Sequence, residues 1–205
     1  MPDRTSSSNP SNTPGMPAVL FLRTFDVVWT RALESRSPLS DHLPCERPER
    51  ALEQLQGAEN LLARFSWFTW VFQVRLKTEM ASYWIARGDL RRAQLEALAS
   101  LEIANRAVLR KHIAWGRTLI GDIAAMEDRT DAARQEYDAA LRILEQYPCP
   151  TVEWRIRKAR ACLAQRLRDT SLADEQLARS RIVVQSLAES VRDPRLRRTL
   201  LQSAP

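Results

Sequence analysis

Residues 130–150 read TDAARQEYDAALRILEQYPCP. Within this stretch Ala133, Tyr137, Ala140 and Ile143 share a column pattern with two other parts of the chain. Forty residues earlier stand Ala93, Ala97, Ser100 and Ile103, and forty residues later Ala173, Leu177, Ser180 and Val183. A shift by the same period aligns Ala81, Gly121 and Ala161, all small, upstream of each set. Leu76, Gly116 and Ile156, then Tyr83, Ile123 and Leu163, extend the agreement. Self-similarity at one fixed period is the mark of a stacked repeat. Two antiparallel helices approach closely only where a small residue on one faces the other, and the small columns flank a turn. The sequence therefore predicts helix–turn–helix hairpins, each burying its outer side against the next.

The turns are visible as Arg87-Gly88-Asp89, Glu127-Asp128-Arg129 and Arg168-Asp169-Thr170. No proline occurs between Pro48 and Pro148, and the span is rich in Ala, Leu, Glu and Arg, which favours continuous helix. Helices are expected over 18–36, 49–64, 66–87, 89–107, 109–127, 130–147, 151–168, 171–190 and 193–202. Thr130 and Thr151 read as helix N-caps, and Ser171 with Asp174 as a capping box. Residues 1–17 hold Ser, Asn and Pro with little to bury and read as a disordered tail, with Met16 an alternative start to Met1. Residues 18–64 form a degenerate N-terminal helix pair around the Pro-rich loop 37–48. Residues 65–205 carry three hairpins and a short capping helix. The expected fold is all-α, a right-handed α-solenoid with a period of about 40 residues.

Composition narrows the chemistry. The chain has 205 residues, 31 Lys and Arg against 25 Asp and Glu, and a formal charge of +6. A chain of this length folds without disulfide or metal. Its 5 glycines, at 15, 57, 88, 116 and 121, form neither a dinucleotide-binding turn nor a phosphate-binding loop. His42 and Cys45 have ligand-like spacing but no second pair, so no zinc constellation forms and no metal and no cofactor is expected. The odd cysteine count, 3, fits a reducing, cytoplasmic setting. No apolar run is long enough for a membrane span. Ala18–Val28 is interrupted by Arg23 and Asp26 and reads as a covered helix face rather than a targeting peptide. No nucleophile with a base partner assembles around His112, and no catalytic residue is assigned.

These residues resemble the tetratricopeptide repeat. The resemblance rests on the small residue of the first helix (Ala81, Gly121, Ala161), the polar or Gly turn, and the Ala that follows (Ala93, Ala133, Ala173). It continues through the larger residue at Tyr137 or Leu177 and the small one at Ser100, Ala140 or Ser180. Over residues 60–202, WIARGDLRRA, HIAWGRTLIGDIAA, YPCPTVEWRI and SVRDPRLRRTLL are similar to the C-terminal repeat tails of large bacterial signalling ATPases, cyclases, kinases and transcription activators. The early Trp common in such repeats is replaced by Lys77, Arg117 and Arg157.

The resemblance implies that the first helix of each hairpin lines a groove binding a protein segment. It places Arg75, Thr78 and Ser82 there, then Trp115, Thr118 and Asp122, then Arg155, Lys158, Cys162 and Arg166. Arginines beside a Trp suit an acidic or C-terminal peptide through bidentate bonds and stacking. The stacked cations Lys77, Arg117 and Arg157 need either an acidic partner or internal acids such as Glu79 or Glu153. The expectation is a non-catalytic interaction or sensor module. One alternative is a nucleic-acid-associated regulator using the Arg-rich surface. Against it, the Arg bias is also what a GC-rich genome produces, and the basic run Trp154–Arg168 reads as a charged outer face. Another alternative is a helical homodimer through 18–36 and 65–72, which includes the aromatic run SWFTWVF.

Overall fold

The computed structural model describes residues 48–63 and 70–202. The expected tail 1–17, the helix at 18–36, most of the loop 37–48, the start at Met1 or Met16 and the first part of the aromatic run lie outside the described residues. The described chain is all-helical: α1 Pro48–Leu62, α2 Trp70–Arg87, α3 Leu90–Arg106, α4 Arg110–Met126, α5 Thr130–Gln146, α6 Pro150–Arg166, α7 Thr170–Ser190 and α8 Pro194–Gln202. The sequence placed the ends of these helices within two residues wherever they are described.

One kind of turn recurs at four of the joints, α2–α3, α3–α4, α4–α5 and α6–α7. The residues Gly88, Val108, Asp128 and Arg168 have φ of 74, 55, 57 and 61°, in the left-handed region. The amide of the next residue reaches back five positions in each case. Asp89 N bonds Trp84 O at 3.0 Å, Leu109 N bonds Ala104 O at 2.9 Å, Arg129 N bonds Ala124 O at 2.9 Å and Asp169 N bonds Ala164 O at 3.0 Å. This closes the carbonyls that a helix C-terminus leaves open. That same residue then opens the next helix. Its carbonyl accepts from Ala93, Ile113, Ala133 and Ala173, respectively, at 2.9 to 3.1 Å. One residue thus serves as the end of one helix and the N-cap of the next, which leaves no slack in the connection. The α5–α6 joint differs, since Pro148 cannot adopt positive φ. There Cys149 is the N-cap and Pro150 takes the first helical position.

The expected caps Thr130, Thr151 and Ser171 are corrected by this geometry. They fall inside their helices, one or two positions past Arg129, Cys149 and Asp169. The side chains that cap are Asp89, accepting from Arg92 N, and Asp169, accepting from Leu172 N.

Packing follows the small columns. Ala81, Ala93 and Ala97 are fully buried in one cluster with Leu119 and Ile123. In the next hairpin Tyr137 occupies the place of Ala97, and Gly121 occupies that of Ala81. A Cβ on Gly121 would stand 2.6 Å from Cε1 of Tyr137. The large residue of one helix therefore consumes the space the other vacates. Ala133, Ala140, Ala161 and Ala173 are buried in the same manner. Buried hydroxyls tie the pairs together. Ser100 Oγ donates to Val74 O at 3.1 Å, and Ser180 Oγ donates to Trp154 O at 2.9 Å.

Each helix packs on its neighbour in the chain. In addition α2 touches α4, and α4 touches α6, whereas α3, α5 and α7 do not touch one another. The stack is closed along the α2, α4 and α6 side and open along the other.

Two substitutions separate strain from close packing. Val108 is β-branched in the left-handed region, a costly placement. Val108→Gly is expected to raise stability by about 1 kcal/mol, set by the relief of that strain. Gly121→Ala, which drives a methyl into the Tyr137 ring, is expected to cost about 1–3 kcal/mol. Urea unfolding monitored by helical circular dichroism measures both.

Candidate functional site

The described face of α2, α4 and α6 holds the residues that the resemblance assigned to a groove. Their fates differ. Thr78 and Thr118 are buried, and both expectations of a groove-lining role give way to an internal one. Thr78 Oγ1 donates to Val74 O at 2.7 Å and lies 2.8 Å from Ser100 Oγ, while Thr118 Oγ1 donates to Ala114 O at 2.8 Å. A hydroxyl one turn from a carbonyl satisfies itself when no water is at hand. Ser82 is half-buried and donates to Thr78 O at 3.0 Å. Arg75 and Cys162 are exposed, and Lys158 is half-buried.

Arg166 is anchored away from an open groove. Its guanidinium donates to Ala125 O at 2.7 Å and to Asp128 Oδ1 at 2.6 Å. It closes the C-terminal end of α4 from α6, where a cation is favoured by the helix dipole.

Trp115 and Arg155 are brought together. The Arg155 guanidinium carbon stands 5.1 Å from the Trp115 ring centre and 5.3 Å from that of Trp154. Trp115 is half-buried and packs against the clusters of both neighbouring hairpins. Arg155 is half-buried, and its Nε is buried without a hydrogen-bond partner. Desolvation lowers the pKa of Arg155, and no carboxylate offsets that effect. The ring faces supply some compensation as cation–π contacts. One α-turn before Trp115, His112 is half-buried and its pKa is lowered, first by desolvation and then by the charges of Lys111 and Arg75. Two cations therefore lie close to His112.

The other stacked cations are neutralised within the chain. Lys77 Nζ lies 2.8 Å from Glu59 and 3.0 Å from Glu96. Arg117 lies 2.9 Å from Glu136. Arg157 lies 2.7 Å from Glu153, and its Nη1 is 3.3 Å from Gln176 Oε1. Desolvation opposes the charge on Lys77, but its two carboxylates outweigh it and raise the pKa. Glu96, Glu136 and Gln176 themselves recur at the forty-residue period. Reading the cation column alone missed these acceptors. A second column nineteen residues on, across the hairpin, would have found them. Glu153 is among the acids the sequence pointed to.

Asp122 joins α4 to α5. The Tyr137 hydroxyl donates to Asp122 Oδ1 at 2.7 Å. Desolvation raises the Asp122 pKa to about 7, against the lowering effect of the Tyr137 bond. Desolvation, followed by the Asp122 carboxylate, also raises the phenol pKa. Cys162 and Arg166, on α6, lie close enough to act on that phenol electrostatically. Asp122, Cys162 and Arg166 thus lie near Tyr137, with Cys162 and Arg166 still exposed.

Among the described residues no group of His, Cys, Asp or Glu is arranged to hold a metal ion. No helix of the described residues is long and apolar enough to cross a membrane. No family model matches the chain, and no curated protein or solved structure matches it.

The raised carboxyl of Asp122 sets a pH dependence. Between its unfolded value near 3.8 and its folded value of about 7, the folded state binds the proton more tightly. Stability from this group is therefore full below the lower value and declines as pH rises through the window. Asp122→Asn keeps an acceptor for Tyr137 and removes the titration. The variant is expected to be more stable than the natural chain at pH 8 and to lose that advantage near pH 4, as read by thermal unfolding across pH.

Proposed function

We propose that the chain is a non-catalytic binding module of tetratricopeptide-like, right-handed solenoid build. It takes an acidic segment of a partner protein along the side formed by α2, α4 and α6, in the cytoplasm and within a signalling context. The observation that supports this is Arg155. It is half-buried, backed by Trp115 and Trp154, and has an Nε without an acceptor. A guanidinium so placed has lost water without gaining a carboxylate, and a ligand carboxylate supplies what is absent through two parallel N–H···O bonds. The positive surroundings of His112 favour the same ligand charge. Bound peptide would tilt successive hairpins slightly, which is how such a stack would pass on a signal.

The test uses full-length chain and fluorescein-labelled peptides rich in Asp and Glu, free or amidated at the C-terminus, with a neutral peptide of equal length as reference. Acidic peptide is expected to bind and to change the fluorescence of Trp115. Arg155→Ala is expected to weaken binding about tenfold or more, the scale of a lost charge-assisted pair. Equal binding of the neutral peptide, or binding of duplex DNA alone with a steep salt dependence, overturns the reading.

A further inference from the structure

On α3 the side opposite the core carries Arg91, Leu95, Leu98 and Glu102. Leu95 is 63% exposed and Leu98 is 46% exposed. The buried face of the same helix is Ala93, Ala97, Ser100 and Ala104. At 100° per residue the two sets point in opposite directions. α3 packs on α2 and α4, and no other described helix covers its outer side.

The fold does not require leucine here. At the matching places of α5 and α7, forty and eighty residues on, Leu95 is replaced by Gln135 and Glu175. Leu98 is replaced by Asp138 and Ala178. The helices sit in the same position relative to their hairpins, so the leucine pair is a feature of α3 alone among these three. Its spacing of four, three and four residues from Arg91 to Glu102 is that of a two-helix seam.

The order of charges on that seam identifies its occupant. If a second α3 is laid antiparallel across a two-fold axis between positions 96 and 97, each residue meets the one whose number completes a sum of 193. Leu95 then meets Leu98 of the other copy, and Arg91 meets Glu102. The mirror pairs follow from symmetry. The pattern is self-complementary, apolar at its centre and opposite in charge at both ends. An isologous contact demands this of a single surface. Glu102 already holds Arg106 within its own helix. A carboxylate accepts from two guanidinium groups, so Arg91 of the other copy adds to this pair rather than displacing it.

We infer that α3 is a homodimer contact, in which the outer sides of two copies pair antiparallel through Leu95, Leu98, Arg91 and Glu102. The seam spans roughly 16 Å, from the 1.5 Å rise per residue. One helix side on its twin buries less than a standard interface of about 1,600 Å². The association is therefore weak and dependent on concentration. It leaves the α2, α4 and α6 side uncovered, so it is independent of peptide binding there.

Sedimentation equilibrium of the full-length chain, from low to high micromolar concentration, tests this. A reversible monomer–dimer equilibrium is expected. Leu95→Gln with Leu98→Asp uses residues that α5 carries at the same places. It is expected to leave helical content and melting temperature unchanged and to raise the dimer dissociation constant at least ~10-fold, since the seam loses its apolar centre. Arg91→Glu alone sets Glu against Glu102 twice and is expected to weaken the dimer. Arg91→Glu with Glu102→Arg is expected to restore it, because the pairing is reversed rather than removed. A chain that stays monomeric at every concentration overturns the inference. So does a dimer that persists in the leucine double variant, or one that the charge reversal fails to rescue, since either is held by another surface such as residues 18–36.

Discussion

The structure depends on a turn in which a single residue finishes one helix and begins the next. At Asp89, Leu109, Arg129 and Asp169 the amide closes the preceding helix, and the carbonyl starts the following one. A left-handed residue directly before each makes the reversal possible. With 17 residues in each of α3, α4, α5 and α6 and three in each joint from α3 to α7, the joints recur every twenty residues, and the left-handed turn stands at each of these except the one at Pro148. The hairpins are then forced into close contact, and close contact is what demands alanine, glycine or serine at the crossing points. The small columns are thus a consequence of the turn as much as a cause of the fold.

Charge is handled differently on the two sides of this frame. Lys77, Arg117 and Arg157 are set into the hairpins and meet acids or an amide there. Those pairs sit at similar depth in each unit and hold first and second helices in register. Arg155, two positions before Arg157, lies against Trp115 of α4 and Trp154 of α6, and no carboxylate among the described residues is paired with it. At 100° per residue, a separation of two positions turns the helix by about 200°, enough to carry one arginine to a satisfied site and the other to an unsatisfied one. The same chain property, an abundance of arginine, therefore brings a guanidinium to a carboxylate at one position and to aromatic rings at another.

The open side of the stack shows why repeats are informative when they disagree. Positions 95, 135 and 175 occupy equivalent places, so a difference among them cannot be assigned to the hairpin. Leu95 and Leu98 stand where polar or small residues suffice elsewhere. Likewise Tyr137 stands where Ala97 suffices, and there the explanation lies within the molecule, in the missing side chain of Gly121. Among the described residues no such internal compensation stands beside the leucines of α3.

The sequence by itself determined the helices, their number over the described span, and their pairing into hairpins. Those properties depend on spacing along the chain: small residues at a forty-residue period, turns at Gly88, Asp128 and Arg168, and no proline in between. It could not place the caps correctly, because Ser171 is as good a capping residue as Asp169, and Arg129 and Cys149 carry no capping signal. Only the backbone path of the turn selects the residue that lies one or two steps earlier. Nor could it separate Thr78 from Arg75 as groove residues. Both lie on the first helix, but Thr78 is buried against Ser100 of α3 while Arg75 is exposed. The seat of Arg155 between two tryptophans, and the joining of Asp122 to Tyr137, were likewise decided by tertiary packing. Desolvation and direction depend on which atoms from other helices arrive nearby, and no periodicity within a single helix records that.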